Sequence, residues 1–506
     1  TSGFEYSKVK PTGFVNFGSQ IHFTMPQYGE FLNDAVIHIR LKGLSAVDSR
    51  DRVRYVSMLG HKITKKQTFK VNGNHLDEYT TDDYNAYFQY HVLSHKKIGW
   101  MRNMGQEIPV RGYVTSDPTF DFQREYKWFG TGNQTFKQRH DVVDLWIPTL
   151  FWFNKLNNAL PTFVIPHGQT DLIIDLADVT DVVGFADYGG GGLYNAPTID
   201  LCELYVNNIY IHPELYDIFI KKFGFSLIRV HGHHKMTVKK ADGNIRLNNL
   251  RWPIENLYIS FRPRSNLSLS QYWDAHSVIT LNNVKVPVVA KNTSNVTKGT
   301  VTAATSSTVV IAYTSGPVIS AVDDAYNGYD FVITGGAGYD SANELNNRYT
   351  VSDYVGGTTT ITISGSWNLV TPNTTTTFDL FTPELAINFA KFYTQSPSID
   401  TLELKAHDIE IFRETSESFY NSYLPNRFGK LMNTPLDRGW YMLNFNFLTG
   451  EHQPSGHINV SRAREFYLKY TSSFISDSNT TDLIVLADAI NFLLVRDGSA
   501  ILRYAT

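Results

Sequence analysis

The sequence predicts an all-β fold made of two similar domains, and three observations carry that prediction. Thr, Val, Ile, Tyr and Phe recur in short apolar or alternating runs separated by turn residues, and aromatic residues make up 14% of the chain against 18% charged. At 506 residues the chain is longer than one hydrophobic core usually supports, which leaves room for two large β-domains. An order of strand, proline-marked turn and strand in the first half also recurs in the second.

From the N-terminus, residues 1–17 read as an arm, followed by strand candidates at 20–25, 35–41, 66–71, 145–153, 171–176 and 201–211. Asn72-Gly73 is the dipeptide that relaxes into positive φ between two strands. Asp497-Gly498 does the same between Phe492-Leu493-Leu494-Val495 and Ala500-Ile501-Leu502, which marks a hairpin. Residues 82–95 have mixed helical and loop character. A helix is expected at 212–223, where Pro213 suits a first turn and Leu215, Phe219 and Phe223 recur at a spacing of four. It would connect a first domain at 18–211 to a second at 224–506.

The echo is specific. Leu145 to Phe153, then Pro166 and Asp171-Leu172-Ile173-Ile174, closes on Thr198-Ile199-Asp200-Leu201. Tyr441 to Phe447, then Pro454 and Phe466-Tyr467-Leu468, closes on Thr481-Asp482-Leu483-Ile484. Two like domains follow from this order. Residues 292–378 differ from their surroundings, being rich in Thr, Ser and Gly and poor in charge, yet they alternate at 308–312, 331–334 and 359–363. A disordered linker lacks such β-branched alternation, so this is expected to be a folded β-insertion on a loop of the second domain.

Composition excludes several roles. A net charge of -3, with Lys and Arg spread thinly, offers no basic stripe for a phosphate backbone, so direct nucleic-acid binding is not expected. The single cysteine, Cys202, cannot close an intrachain disulfide and reads as a buried small hydrophobe. Residues 1–10 lack the charged and apolar regions of a secretory leader, and no run approaches the ~18 apolar residues of a membrane span.

Residue groups that could carry chemistry each have a plainer reading. His231, His233 and His234, followed by Lys235, have spacing that could offer metal ligands, but they are expected on a solvated loop after a strand. The glycine run at 189–192 has no following Lys-Ser or Lys-Thr pair and reads as a loop tip. Gly335-Gly336-Ala337-Gly338 reads as a β-turn. Asp323, Asp324 and Asp353 could pair carboxylates for glycan hydrolysis or hold calcium, although solvation suits them better without an aromatic cleft. Sequons stand at Asn292, Asn295 and Asn373 at the edges of the insertion. Arg462 and Arg464, alternate residues of a strand, would share a face and pair either within the chain or with a neighbouring subunit. No catalytic residue, metal ligand or cofactor is assigned.

Several stretches resemble one family in order along nearly the whole chain. They are Gly3-Phe4-Glu5-Tyr6, Pro26-Gln27-Tyr28-Gly29, Val71-Asn72-Gly73-Asn74, Leu76-Asp77-Glu78-Tyr79 and Gly105-Gln106-Glu107. Leu145-Trp146-Ile147 with Phe151-Trp152-Phe153-Asn154 continues the series, as does Trp252-Pro253-Ile254-Glu255. Near the C-terminus the run from Gln453 through Pro454, Gly456, Arg462 and Arg464 to Tyr467 is the most specific, and Ala489-Ile490-Asn491-Phe492 before Gly498-Ser499-Ala500 completes it. These motifs resemble the major capsid proteins of nucleocytoplasmic large DNA viruses, in the lineage of African swine fever virus and amoeba viruses.

The resemblance implies a double jelly roll, two eight-stranded antiparallel sandwiches side by side. It implies a homotrimeric, pseudo-hexameric capsomer that contacts neighbouring capsomers, minor capsid proteins beneath the shell and, through 292–378, a host surface or glycan. The first domain is shorter here, and the Thr-rich insertion has no counterpart recognised in that lineage. The alternative is a carbohydrate-binding or glycan-processing β-sandwich; the lack of a catalytic constellation outside the insertion argues against it.

Overall fold

Two sandwiches share one order of eight principal strands each, with short additional strands at Leu160–Pro161, Ile458–Asn459 and Ser499–Leu502 paired onto them. The computed structural model describes residues 3–48, 51–106, 110–112, 127–129, 136–165, 170–186, 192–212, 225–268, 273–285, 296–341, 344–381, 389–406, 409–428, 432–460, 465–496 and 499–504. The first sandwich contains β1 (Gly3–Val9), β2 (Gln20–Thr24), β3 (Phe31–Lys42), β4 (Thr64–Val71), β5 (Asn74–Thr80), β6 (Val143–Pro148), β7 (Thr170–Leu176) and β8 (Thr198–Tyr210). Its two sheets run β1-β8-β3-β6 and β2-β7-β4-β5.

The second sandwich contains β9 (Phe225–Val238), β10 (Asp242–Arg246), β11 (Pro253–Pro263), β12 (Thr401–Ala406), β13 (Ile409–Ser416), β14 (Trp440–Asn444), β15 (Phe466–Thr471) and β16 (Thr481–Arg496). Its sheets run β9-β16-β11-β14 and β10-β15-β12-β13. Adding eight to every label of the first pair of sheets gives the second. All these ladders are antiparallel, and their order is that of the double jelly roll. The echo read from sequence is the sixth, seventh and eighth strand of each sandwich.

Alternation places the cores. Ala35, Ile37, Ile39 and Leu41 of β3 face Phe69, Leu172 and Ile174 of the opposite sheet, all buried. Leu257, Ile259 and Phe261 of β11 face Leu402, Leu404 and Leu468 in the second sandwich. Each of these Ile, Leu and Phe side chains contributes about 1.5–3 kcal/mol on leaving water.

Asn72 and Gly73 join β4 to β5 with φ of 50 and 76, the left-handed pair of a tight hairpin turn. Arg496 pairs directly with Ser499, which bears out the C-terminal hairpin, although Asp497 and Gly498 lie outside the described residues. Residues 213–224, with the expected connecting helix, also lie outside them.

Two expectations need correction, and one open segment is settled. Residues 1–17 are not an arm throughout, because Gly3–Val9 pairs along the edge of β8, from Gly3 with Tyr210 to Val9 with Leu204. The strand expected over 145–153 ends at Pro148, where the missing N–H stops the ladder; Phe151, Trp152 and Phe153 turn under the sheet and pack around Phe69 at ring separations of 5.0–5.5 Å. The ambiguous 82–95 segment opens on a ten-residue helix, α1 (Thr81–Tyr90), begun by a capping box in which Thr80 N donates to Asp83 Oδ2 at 2.8 Å.

The insertion leaves the second sandwich between β11 and β12 through a paired stem, Val278–Lys285 against Phe389–Ser396. It is a closed barrel of six strands, in ladder order Thr297–Ala304, Thr308–Ser315, Thr360–Ile363, Arg348–Val355, Asp330–Gly335 and Thr377–Phe381. Closure leaves no free edge, and Val309, Ile311, Phe331, Tyr354, Ile361 and Phe378 fill a core separate from those of the sandwiches.

Candidate functional site

The two sandwiches meet along a seam where acids of the first face cations of the second. On β9, alternation sends His231, His233 and Lys235 to the same outward face, and Arg262 of β11, on the far side of β16, joins them. Against this face lies the end of β5 and the start of α1.

Asp77 accepts the His231 backbone N–H and pairs with its ring Nδ1, both at 2.9 Å. Asp83, already capping α1, sits 2.7 Å from His233 Nε2. Asp82 accepts from Lys235 Nζ at 3.0 Å and from Arg262 Nη1 at 2.9 Å. Below these charges Ala86 and Tyr90 of α1 pack on Tyr258, Trp440, Met442, Ile484 and Leu486.

Further bonds cross the seam. Ser57 Oγ donates to Asp274 at 2.5 Å, Trp273 Nε1 donates to the Ser57 carbonyl at 2.7 Å, and Asn433 N donates to the Tyr90 carbonyl at 2.7 Å.

Burial alone would lower the His231 pKa, but the carboxylates of Asp77, Asp83 and Asp488 outweigh it and carry the imidazole up to about 9. His233 is likewise raised, the Asp83 carboxylate overcoming burial. Burial would raise Asp82, and Arg262 and Lys235 reverse that, holding its carboxyl below the usual range. The carboxylates facing them thus favour the imidazolium form of both histidines, which pair with those acids as a clamp.

This corrects the reading of a solvated histidine loop. All three histidines lie within a strand, and His234 turns to the opposite face, where burial lowers its pKa and neither ring nitrogen has a hydrogen-bond partner among the described residues. Among the described residues no group of three His, Cys, Asp or Glu side chains could hold a metal ion. The i, i+2 spacing of His231, His233 and Lys235 was the available signal for a strand face. Their partners, about 150 residues upstream, left none.

The other singled-out residues separate by role. Trp146 stands on the outward face of the first sheet, stacked on His38 at 4.0 Å and close to Tyr205 at 5.2 Å. Asn491 is buried and ties down the chain end, accepting from Tyr504 N and donating to the Tyr504 carbonyl, both at 3.1 Å. Gly456 is held where an added Cβ would come within 2.6 Å of the Phe445 carbonyl, next to Pro454. Arg462 and Arg464 lie outside the described residues.

Cys202 is buried, and burial with Glu203 beside it pushes the thiol up to about 12. In the barrel, Asp323 accepts the Gly356 N–H and Asp324 takes a left-handed turn position, so both shape a loop. Asp353 stands on the exposed side of its strand. Asn373 is exposed, and its side chain accepts from Thr375. Among the described residues no helix is long and apolar enough to cross a membrane.

Two jelly rolls locked along a seam and carrying a barrel on a stem are the architecture of viral coat proteins. The chain matches the family described as "Large eukaryotic DNA virus major capsid protein" over residues 219–501 and "Major capsid protein N-terminus" over residues 2–212. It is 25% identical to the hexon protein p72 of African swine fever virus (isolate Tick/Malawi/Lil 20-1/1983), covering 100% of this chain and 89% of that protein. Among solved structures it is similar to the Faustovirus major capsid protein, with 26% identity, a TM-score of 0.71, and 98% of this chain and 91% of that one covered. The fold is also shared with the PBCV-1 virus capsid, at 16% identity and a TM-score of 0.59, covering 100% and 97% of the two chains.

The chain belongs to the major capsid protein family of large eukaryotic DNA viruses. This displaces the carbohydrate-processing alternative and makes the protein a component of the virion capsid.

Proposed function

We propose that three copies of this chain form a pseudo-hexameric capsomer that tiles an icosahedral shell, with residues 3–211 and 224–506 as the two jelly rolls. The observation that carries this reading is the seam: two sandwiches of one strand order, fixed side by side by buried ion pairs, present two of six similar lobes. The protein acts as a structural unit rather than an enzyme. Minor capsid proteins beneath the shell are its further partners, and nucleic acid is not contacted directly, in keeping with the net charge of -3. Assembly takes place in the host cytoplasm, a setting that suits one buried, protonated thiol.

The native mass of the purified protein tests this. A stable species of three chain masses is the expected result, and a folded monomer at assembly-relevant concentration overturns it.

The barrel, carried on the stem formed by Val278–Lys285 and Phe389–Ser396, is the outer surface and contacts a host surface or glycan. Val318, Val322 and Val370 stand exposed on it and support a contact role. Removing 292–378 should abolish host attachment while trimers persist; unchanged attachment refutes this part alone.

A further inference from the structure

The two strands that meet at the seam each keep an open edge. β5 ends the order β2-β7-β4-β5, β9 ends the order β9-β16-β11-β14, and no ladder joins them among the described residues. The Asp77 carboxylate, not its backbone, reaches the His231 N–H, so the two edges stand wider apart than paired strands do. Between them lies a groove of about 390 Å³, within the size range of ligand pockets.

Both halves of the chain line this groove. Leu76 of β5 and Val230 of β9 are buried and, with Leu502, form an apolar wall, while Asn249 and Arg251 stand exposed at its rim. Trp252, also lining it, holds φ at 70, a left-handed conformation that a bulky side chain rarely adopts. Backbone strain of this kind collects at ligand clamps.

Charge decides what the groove accepts. Asp77 is matched by His231, Glu78 by His75 and Lys66, and His233 by Asp83. Among the described residues Arg251 has no carboxylate partner, so one positive charge is left over and suits an anionic group. The strand edges suit extended main chain, because an antiparallel strand directs alternate N–H and C=O groups to its open side, where an added chain pairs with them. The His231 N–H points that way, and by alternation so do the backbone groups of His233.

The groove and the barrel lie at opposite ends of the second sandwich. Trp252 immediately precedes β11, which runs from Pro253 to Pro263, and beyond Pro263 the chain leaves for the stem.

We infer that the groove binds an extended peptide segment of another protein, its main chain along the β5 and β9 edges and a carboxylate on Arg251. The inference rests on the reading of the barrel as the outer surface, which puts this partner on the inner side of the shell. Since both sandwiches contribute to the groove, an occupant also fastens the seam.

Selection of a random heptapeptide library with free C-termini on the purified full chain tests this. Enriched peptides should alternate apolar residues and use a carboxylate. The synthetic form of the most enriched peptide should weaken about tenfold or more on Arg251→Gln, and equally when its carboxylates are amidated, the loss of one hydrogen bond to a charged group. Arg246→Gln, at an exposed arginine outside the groove, should leave binding unchanged. On binding, amide hydrogen exchange should slow in Leu76–Glu78 and Val230–His233. Enrichment no better than on the Arg251→Gln chain overturns the inference, as does a peptide that protects other segments. Equal protection by benzoate overturns the peptide as occupant in favour of a small carboxylate. Binding as expected, combined with host attachment that survives removal of the barrel, upholds the site and overturns only its inward placement.

Discussion

The seam and the barrel solve opposite problems. Along the seam, Asp82 and Arg262 are nearly buried and each depends on a partner from the other sandwich. Separating the sandwiches would strand charges in apolar surroundings, so the two halves hold as one unit. The barrel closes on itself, keeps its own core of Val309, Phe331, Tyr354 and Ile361, and reaches the sandwich through one paired stem. It resembles a separate small domain. The sandwiches are thus coupled to each other by buried charge, and the barrel is tied to them by a single stem.

The sharpest way to break that comparison is Asp82→Ala. The substitution leaves Arg262 and Lys235 without the carboxylate they share, and Arg262 is itself buried. Loss of one member of a buried pair costs about 3–5 kcal/mol. Denaturant unfolding should show that loss across both sandwiches together; a loss confined to the first would mean that the seam does not couple them.

Titration of His231 should have a somewhat smaller effect. Its pKa is raised in the folded chain, so its contribution is complete below the ordinary histidine value near 6.5 and is lost as pH climbs through about 9. The groups facing it are Asp77 and Asp83 from the first sandwich, Asp488 on β16 and His233 beside it. That window corresponds to a loss on the order of 3 kcal/mol, read as unfolding free energy against pH. His231→Gln should flatten the curve between those limits, and an unchanged curve would remove His231 from the clamp.

Much of the framework was legible because its signals are local. Asn72-Gly73 fixes a turn through its own φ preferences, and β7 and β15 announce themselves by alternation within six or seven residues. The seam was not legible, because Asp77 and His231 are 154 positions apart and neither residue shows in sequence which face it will meet. Alternation at His231, His233 and Lys235 marked a strand face, and only the fold supplied the acids opposite. The barrel lies between these cases: its β character shows in 308–312 and 331–334, whereas closure needs Thr297–Ala304 to pair with Thr377–Phe381, which no local pattern encodes. The π-helical turn at Phe419–Tyr423 gave no periodic signal, since its spacing departs from 3.6.

Ile361→Val provides the finest test of independence. Ile361 is fully buried among the barrel's apolar side chains, and removing one methylene from such a site costs about 0.5–1.5 kcal/mol. If the barrel is its own cooperative unit, amide hydrogen exchange should quicken in Thr308–Ser315, Arg348–Val355 and Thr360–Ile363 and stay unchanged in β3, β11 and β16. Faster exchange in β11 or β16 as well would join the barrel to the sandwich energetically, through the stem at Val278–Lys285, and an outward module of that kind could not vary freely without weakening the shell.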